Sequence, residues 1–125
     1  MIPYFYNDRI NAVSSKDVSR YADVFAAMGA EPRLQIMRQL LKAHPDGQVV
    51  GELQAELGIA ASTLSHHLEK LRHEALVSVE REGTFLRYRA NTDTLREVLA
   101  FLYTECCGGT GVTPPDVIVR VARRG

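Results

Sequence analysis

The sequence predicts a mainly α (α+β) fold with about five helices and one two-stranded β-hairpin. Three observations lead to this prediction. Apolar residues recur at spacings of three and four through residues 17–73 and again through 92–107, which is the helical period. Between these segments, residues 76–90 alternate with a period of two around a glycine, as two paired strands do. Two short helices joined by a tight turn directly precede the hairpin, which is the order of a helix-turn-helix.

The length and composition of the chain are those of one globular domain. It has 125 residues, 46% hydrophobic and 24% charged, which argues against general disorder. Its 15 basic and 15 acidic residues cancel, so nucleic-acid binding would need a local charge asymmetry. Residues 1–16 do not resemble a signal peptide, and no apolar run approaches a membrane span. We therefore expect a cytoplasmic protein with no membrane partner and with free thiols.

The first two helices are predicted at residues 17–28 and 31–43. Gly29 ends the first, and Pro32 suits the first turn of the second because its missing N–H is not needed there. Residues 44–47 form a turn. The spacing predicts an apolar stripe on the first helix, made of Val18, Tyr21, Ala22, Phe25 and Met28. It predicts a wide buried face on the second helix, made of Leu34, Ile36, Met37, Leu40 and Leu41.

The helix-turn-helix is predicted from residue 49 to residue 73. A short helix at 49–57 points Leu53 and Leu57 inward and ends at Gly58, and Ser62 is expected to cap the next helix. That second helix has an inward stripe and an outward face. The inward residues are Leu64, His67, Leu68 and Leu71, and the outward ones are Ser62, Thr63, Ser65, His66, Glu69 and Lys70. Small hydroxyl groups and an imidazole suit contact with base edges in a major groove, although an ordinary solvated face has the same composition.

The hairpin and the last helix complete the predicted fold. Gly83 and Thr84 form the turn between the strands, and Arg81, Arg87 and Arg89 around it are suited to phosphate contacts. Over residues 60–91 five cationic side chains oppose four glutamates, a net charge of +1, so a two-fold dimer would be needed to double these contacts. Asn91 or Thr92 caps the last helix, which reaches residue 107 and is stopped by Gly108 and Gly109.

Both cysteines of the chain, Cys106 and Cys107, are neighbours in the stretch TECCGG at the end of that helix. A disulfide between them would be strained, because bridged Cα atoms are usually about 4.4–6.8 Å apart and neighbouring ones about 3.8 Å. Packing of Cys106 as a small hydrophobe, oxidation of the thiols in redox sensing, and binding of a thiophilic ligand all remain open. No CxxC or glycine-rich phosphate loop appears, so an enzyme is not expected.

The stretches EPRLQIMRQLL, STLSHHLEKLRHEALVSVEREG and FLRYRA resemble the ArsR/SmtB family of winged-helix repressors over about residues 20–105. The resemblance implies a homodimer that binds a palindromic double-stranded operator and leaves it when an inducer binds. The residues it assigns to DNA are Ser62, Thr63, Ser65, His66, Arg81 and Arg87. His67 also matches a family histidine. Its place on the inward stripe fits a packed, hydrogen-bonded side chain at least as well as a family role.

The predicted organisation is an N-terminal arm at 1–16, a winged helix-turn-helix DNA-binding and dimerisation domain at 17–107, and a C-terminal tail at 108–125. The family's cysteine site on the third helix and its Asp/His zinc site on the terminal helices are absent, because VVGELQAEL has no cysteine and no histidine follows His73. TECCGG resembles an arsenic-responsive subgroup with a vicinal cysteine pair. That resemblance implies a trivalent arsenical as inducer at Cys106 and Cys107 and no obligatory cofactor.

Relatives in that subgroup often have a third cysteine, which GGTGVTPPD does not supply. Arsenite prefers three thiolates, whereas a monomethylated trivalent arsenical has two positions open to sulfur. Two cysteines therefore favour an organoarsenical, or arsenite with a weaker third ligand. Zinc fits less well, because a closed zinc site needs four ligands.

Overall fold

The computed structural model describes residues 15–107, except for the side chains at 15, 16, 106 and 107. Five helices and three strands lie in this part of the chain. The predicted fold class is confirmed, and the structure has one strand more than predicted. In chain order they are α1 (Ser15–Met28), α2 (Glu31–Lys42), β1 (Gln48–Val49), α3 (Val50–Leu57), α4 (Ala61–His73), β2 (Val77–Glu82), β3 (Phe85–Ala90) and α5 (Thr92–Cys107).

The described residues form two compact units. One comprises residues 15–21 and 93–107, and the other comprises Ala22–Thr92. The predicted arm at 1–16 and tail at 108–125, with the stop at Gly108 and Gly109, fall almost wholly outside the described residues, so the proposed domain boundaries stay predictions. No helix in the described part of the chain combines the length and apolarity that crossing a bilayer would take.

The larger unit is built around aliphatic side chains from the helices and the start of the hairpin. The fully buried ones include Ile36, Met37, Leu40, Leu53, Leu64, Leu68, Leu71 and Leu76. The predicted buried face of α2 was too wide, because Leu34 and Leu41 are 55% and 41% exposed. A helix packed on one side buries only a stripe of its surface, and these two leucines lie beyond the edge of that stripe.

The apolar stripe predicted on α1 is not the side of the helix that this chain buries. Val24 and Ala27 are buried, whereas Val18, Ala22 and Phe25 are exposed. Both sets of residues follow helical spacing, so periodicity alone could not decide which one the chain would bury. The exposed set leaves apolar surface on this helix that the described chain does not cover.

The turn between α3 and α4 is set by Gly58, as predicted. This glycine has φ 65°, and its N–H donates to the Gln54 carbonyl at 2.9 Å. The predicted cap at Ser62 was wrong, because α4 begins at Ala61 with Ala60 as its extended N-cap residue. The Ala60 carbonyl already accepts the Leu64 N–H at 2.9 Å, so Ser62 lies within the first turn and makes no capping bond.

The hairpin has the predicted strands and turn. Glu82 pairs with Phe85 across the loop, where Gly83 has φ 62°, a conformation that favours glycine. The third strand, β1, was missed. Gln48 pairs with Tyr88 and Val49 with Arg87, so the loop before α3 forms the edge of an antiparallel sheet in the order β1-β3-β2.

In the smaller unit, the N-terminal part of α1 is linked to α5 by polar and aromatic contacts. The guanidinium of Arg20 and the hydroxyl of Tyr21 both donate to Glu97 Oε2, at 2.5 and 2.8 Å. The rings of Tyr21 and Phe101 have centroids 4.6 Å apart. Burial, and then the hydrogen bond to Glu97, raise the pKa of Tyr21. These contacts join the N-terminal part of α1 to α5 at positions that precede the cysteines.

Candidate nucleic-acid interface

The N-terminal half of α4 presents the surface that the sequence assigned to DNA. Leu64, Leu68 and Leu71 are buried on one side of the helix and fix its orientation. The four predicted base-facing residues lie on the opposite side, and all are exposed: Ser62, Thr63, Ser65 and His66. The structure therefore brings these four side chains together, and their donors and acceptors are available to a ligand.

Glu69 in the C-terminal half of α4 is paired with an arginine of the same helix. Both carboxylate oxygens of Glu69 accept hydrogen bonds from Arg72, three residues later on the same helix. This pairing holds the pKa of Glu69 below its usual range. Because the paired Glu69 and Arg72 together carry no net charge, Lys70 on the adjacent position adds one positive charge to that surface.

The wing, defined here as β2, β3 and the turn at Gly83 and Thr84, places its arginines on both faces. Arg87 lies directly across from Glu80, and side chains alternate along each strand, so Arg81 lies on the opposite face from Arg87. The sequence grouped these two arginines around one turn. In the folded hairpin they point to different sides, and one wing face cannot present both to the same phosphate.

The arginines also differ in their partners. The Arg87 Nε atom donates to both oxygens of Glu82, at 3.0 and 2.9 Å, and the Arg89 Nη1 atom donates to Glu80 at 2.6 Å. The Glu82 hydrogen bond raises the pKa of Arg87. Arg81 is exposed and pairs with no acid among residues 15–107. Arg81 is therefore the wing cation whose charge is available without breaking an ion pair.

Arg87 also ties the wing to the loop before α3. Its Nη1 atom lies 3.4 Å from the Asp46 carbonyl oxygen and 3.5 Å from that of Gly47. Gly47 is buried with φ 72°, and a Cβ built on it would meet the Tyr88 carbonyl oxygen at 2.2 Å. Only glycine allows the loop to approach β3 this closely. The pairing of β1 with β3 adds to this anchor and fixes the base of the wing.

His67 lies on the inner side of α4, as its stripe predicted. Its Nδ1 atom is 3.4 Å from Nη1 of Arg33 on α2. Burial, then the charge of Arg33, lower the pKa of His67. A neutral imidazole that accepts from Arg33 fits this environment, so the structure supports the packed, hydrogen-bonded alternative for this histidine.

Two residues near this surface were not predicted from the sequence. Phe85 begins β3 at the wing turn and is 61% exposed, the largest exposed fraction of any large apolar side chain in the described residues. Arg33 is partly buried beside α4 and is held there by α1 and His67. The sequence placed Phe85 in the second strand of the hairpin and gave it no other role. No local pattern marks Arg33, because its neighbours come from distant parts of the sequence.

The predicted inducer site lies at the edge of what is described. Helix α5 continues through Cys107, but the side chains of Cys106 and Cys107 are outside the described residues. Among the side chains that are described, no group of three or more histidine, cysteine or acidic residues could hold a metal ion. The assignment of the two cysteines to an arsenical therefore stays a prediction.

Comparison with known proteins identifies similar sequences. Residues 31–79, which run from the start of α2 into β2, match the model of a family described as bacterial regulatory protein, arsR family. The nodulation protein NolR of Rhizobium meliloti is 33% identical over 70% of this chain and 69% of its own. A Halobacterium salinarum protein named for an arsenical resistance operon is 32% identical over 72% of this chain and 74% of its own.

Solved structures agree with the fold. The HlyU structure from Vibrio cholerae superposes with a TM-score of 0.59 at 30% identity, covering 75% of this chain and 99% of that one. A homodimeric winged helix-turn-helix DNA-binding domain from Mycobacterium bovis superposes with a TM-score of 0.61 at 25% identity, covering 77% of this chain and 87% of that one.

Proposed function

Because this chain belongs to the ArsR family of bacterial regulatory proteins, we propose that it is a homodimeric repressor of transcription whose inducer is a trivalent arsenical. In this proposal the dimer binds a palindromic operator and leaves it when the arsenical binds Cys106 and Cys107. The observation that carries the DNA-binding part is the exposed group of hydroxyls and one imidazole on α4. The wing that follows α4 adds Arg81, which pairs with no acid in the described part of the chain.

In the proposed complex, the N-terminal half of α4 enters the major groove. Ser62, Thr63 and Ser65 are small enough for close approach, and each hydroxyl both donates and accepts hydrogen bonds. His66 adds a longer side chain that reaches further into the groove. Arg81 on the wing contacts a phosphate beside it. Arg87 contributes as a cation only if the complex rearranges its pair with Glu82.

The dimer is supported by apolar surface that this chain leaves exposed. Val18 and Phe25 on α1 are 51% and 39% exposed, and Leu102 on α5 is 46% exposed. A second copy that covered these side chains would remove them from water, which is favourable. The homodimeric Mycobacterium bovis domain provides a precedent. Two recognition helices placed about 34 Å apart would match successive major grooves.

The inducer part of the proposal rests on the two adjacent cysteines and on the position of their helix. Consecutive side chains of a helix diverge by about 100°, so two sulfurs can bind one arsenic atom only if the last turn of α5 distorts. If α5 forms part of the dimer interface, that distortion changes the spacing of the two recognition helices. The arsenical then selects a dimer that no longer fits its half-sites. Two sulfur ligands favour a mono-organo arsenical over arsenite.

The test is fluorescence anisotropy of the reduced protein on its own upstream DNA, titrated in parallel with phenyl- or methylarsenite, arsenite and zinc. A Cys106→Ser/Cys107→Ser double variant is the matched control. Release by a trivalent arsenical that the double variant loses is the expected result, and the order of potencies identifies the inducer. DNA binding that none of the three ligands changes would remove the arsenical from the proposal and leave the DNA-binding part intact.

A further inference from the structure

Arg33 is a partly buried cation that has no acidic partner in the described part of the chain. Its Nε–H donates to the Ala27 carbonyl oxygen at 2.6 Å, and its Nη1 atom lies 3.4 Å from His67 Nδ1. Neither contact neutralises the guanidinium, and it pairs with no carboxylate among residues 15–107. Charged groups that leave water are usually paired with an opposite charge. Arg33 is therefore held by neutral groups, and no carboxylate of the described residues pairs with it.

Arg33 lines an open cleft of about 470 Å³ between α1, α2 and α4. Three more basic side chains line it, namely His66, Lys70 and His73, together with the acidic Asp23, Glu69 and Glu74. Glu69 is paired with Arg72 and contributes little free negative charge. Ala26 and Ala27 also line the cleft, and their small side chains take up little of its space.

We propose that this cleft binds a phosphate-type oxyanion between Arg33 and Lys70. The N–H groups of Arg33 that are not used within the protein are directed donors, and the flexible ammonium of Lys70 adds a second charge. His66 belongs both to the cleft and to the exposed face of α4. A DNA backbone phosphate beside the recognition helix is therefore one source of the oxyanion, and that source rests on the proposed function. A free phosphate or phosphate ester is the other.

The DNA source is tested by the salt dependence of operator binding for the wild type and for Arg33→Gln and Lys70→Gln. Arg38→Gln is the matched control, because Arg38 is an exposed arginine on the same helix that does not line the cleft. Each lost phosphate contact makes the negative slope of log K against log salt less steep by about 0.9, and the change per dimer is about 1.8. Arg33→Lys and a thermal melt of each variant separate a loss of charge from a loss of folding, and Lys70→Gln alters only an exposed side chain.

The free source is tested on the protein without DNA, by ³¹P line broadening of inorganic phosphate at constant ionic strength. Phosphate binding that Arg33→Gln and Lys70→Gln lose and Arg38→Gln keeps supports the cleft as a free-phosphate site. Reduced salt slopes without free-phosphate binding support the DNA backbone as the source. Unchanged slopes together with no phosphate binding overturn the proposal. If the wild type binds no DNA at all, the proposed function fails, and the phosphate experiment still decides for or against the cleft.

Discussion

Replacing Gly47 with alanine tests the contact that anchors the wing. This glycine has φ 72°, and an added Cβ would lie 2.2 Å from the Tyr88 carbonyl oxygen and 2.7 Å from Cγ of Arg89. Gly58 and Gly83 have nearly the same backbone conformation, with φ 65° and 62°, and no atom within 4 Å of an added Cβ. The three positions therefore share the conformational effect of the substitution and differ in the steric overlap.

The left-handed conformation costs a non-glycine residue about 1–2 kcal/mol, and overpacking adds about 1–3 kcal/mol. Gly58→Ala and Gly83→Ala should therefore lower the free energy of unfolding by about 1–2 kcal/mol, through the first effect alone. Gly47→Ala should lower it by about 2–5 kcal/mol, through both. The contact at Gly47 is with the β3 backbone, which cannot rotate away as a side chain can.

The assay is urea denaturation followed by far-ultraviolet circular dichroism, with all variants at one protein concentration because dimerisation shifts apparent stability. The midpoint and slope of each transition give the free energy of unfolding. Gly47→Ala should unfold at a clearly lower urea concentration than the two control variants. If it proves no less stable than Gly58→Ala, the loop does not approach β3 as closely as described, and the argument that it anchors the wing is wrong.

Three further predictions follow from the charged and apolar groups. Arg81→Gln should weaken operator binding and make its salt dependence less steep by about 0.9 per protomer. Glu82→Gln should strengthen binding because it frees Arg87. Anisotropy at several salt concentrations measures both variants, and tighter binding by Arg81→Gln or weaker binding by Glu82→Gln would contradict the assignment. The pKa of His67 is lowered on folding, so the unfolded chain binds more protons and stability should fall as pH drops below about 6.5; His67→Gln should reduce that slope in urea melts. Phe25→Glu should shift the protein from dimer towards monomer in sedimentation velocity, and an unchanged dimer would exclude this part of α1 from the interface.

Much of the candidate interface could be predicted from the sequence. The outward position of Ser62, Thr63, Ser65 and His66 follows from helical periodicity, because the leucines of α4 define the buried side. The ion pairs of the wing could not be predicted in the same way. Whether Arg87 meets Glu82 depends on strand register and side-chain rotamers, and the sequence shows only that both charges are near the turn.

The cleft at Arg33 could not be predicted from the sequence either. Arg33 and His67 are 34 positions apart in the chain, and only the packing of α2 on α4 brings them within 3.4 Å. The sequence placed Arg33 near the start of a helix and gave it no role. The neighbouring cation Lys70 was assigned correctly to the outward face of α4, because that assignment needs only the period of one helix.

The sequence by itself determined the order of the five helices and the two hairpin strands, because spacing, glycine and proline act within a few residues of where they stand. It also determined the turn at Gly83 and the end of α3 at Gly58, where only local backbone conformation matters. The tertiary structure decided which side of α1 is buried and that Gln48 and Val49 join the sheet. It also decided which arginine of the wing pairs with no acid among the described residues. Each of these depends on contacts between segments far apart in the chain, and local periodicity is the same whether or not such a contact forms.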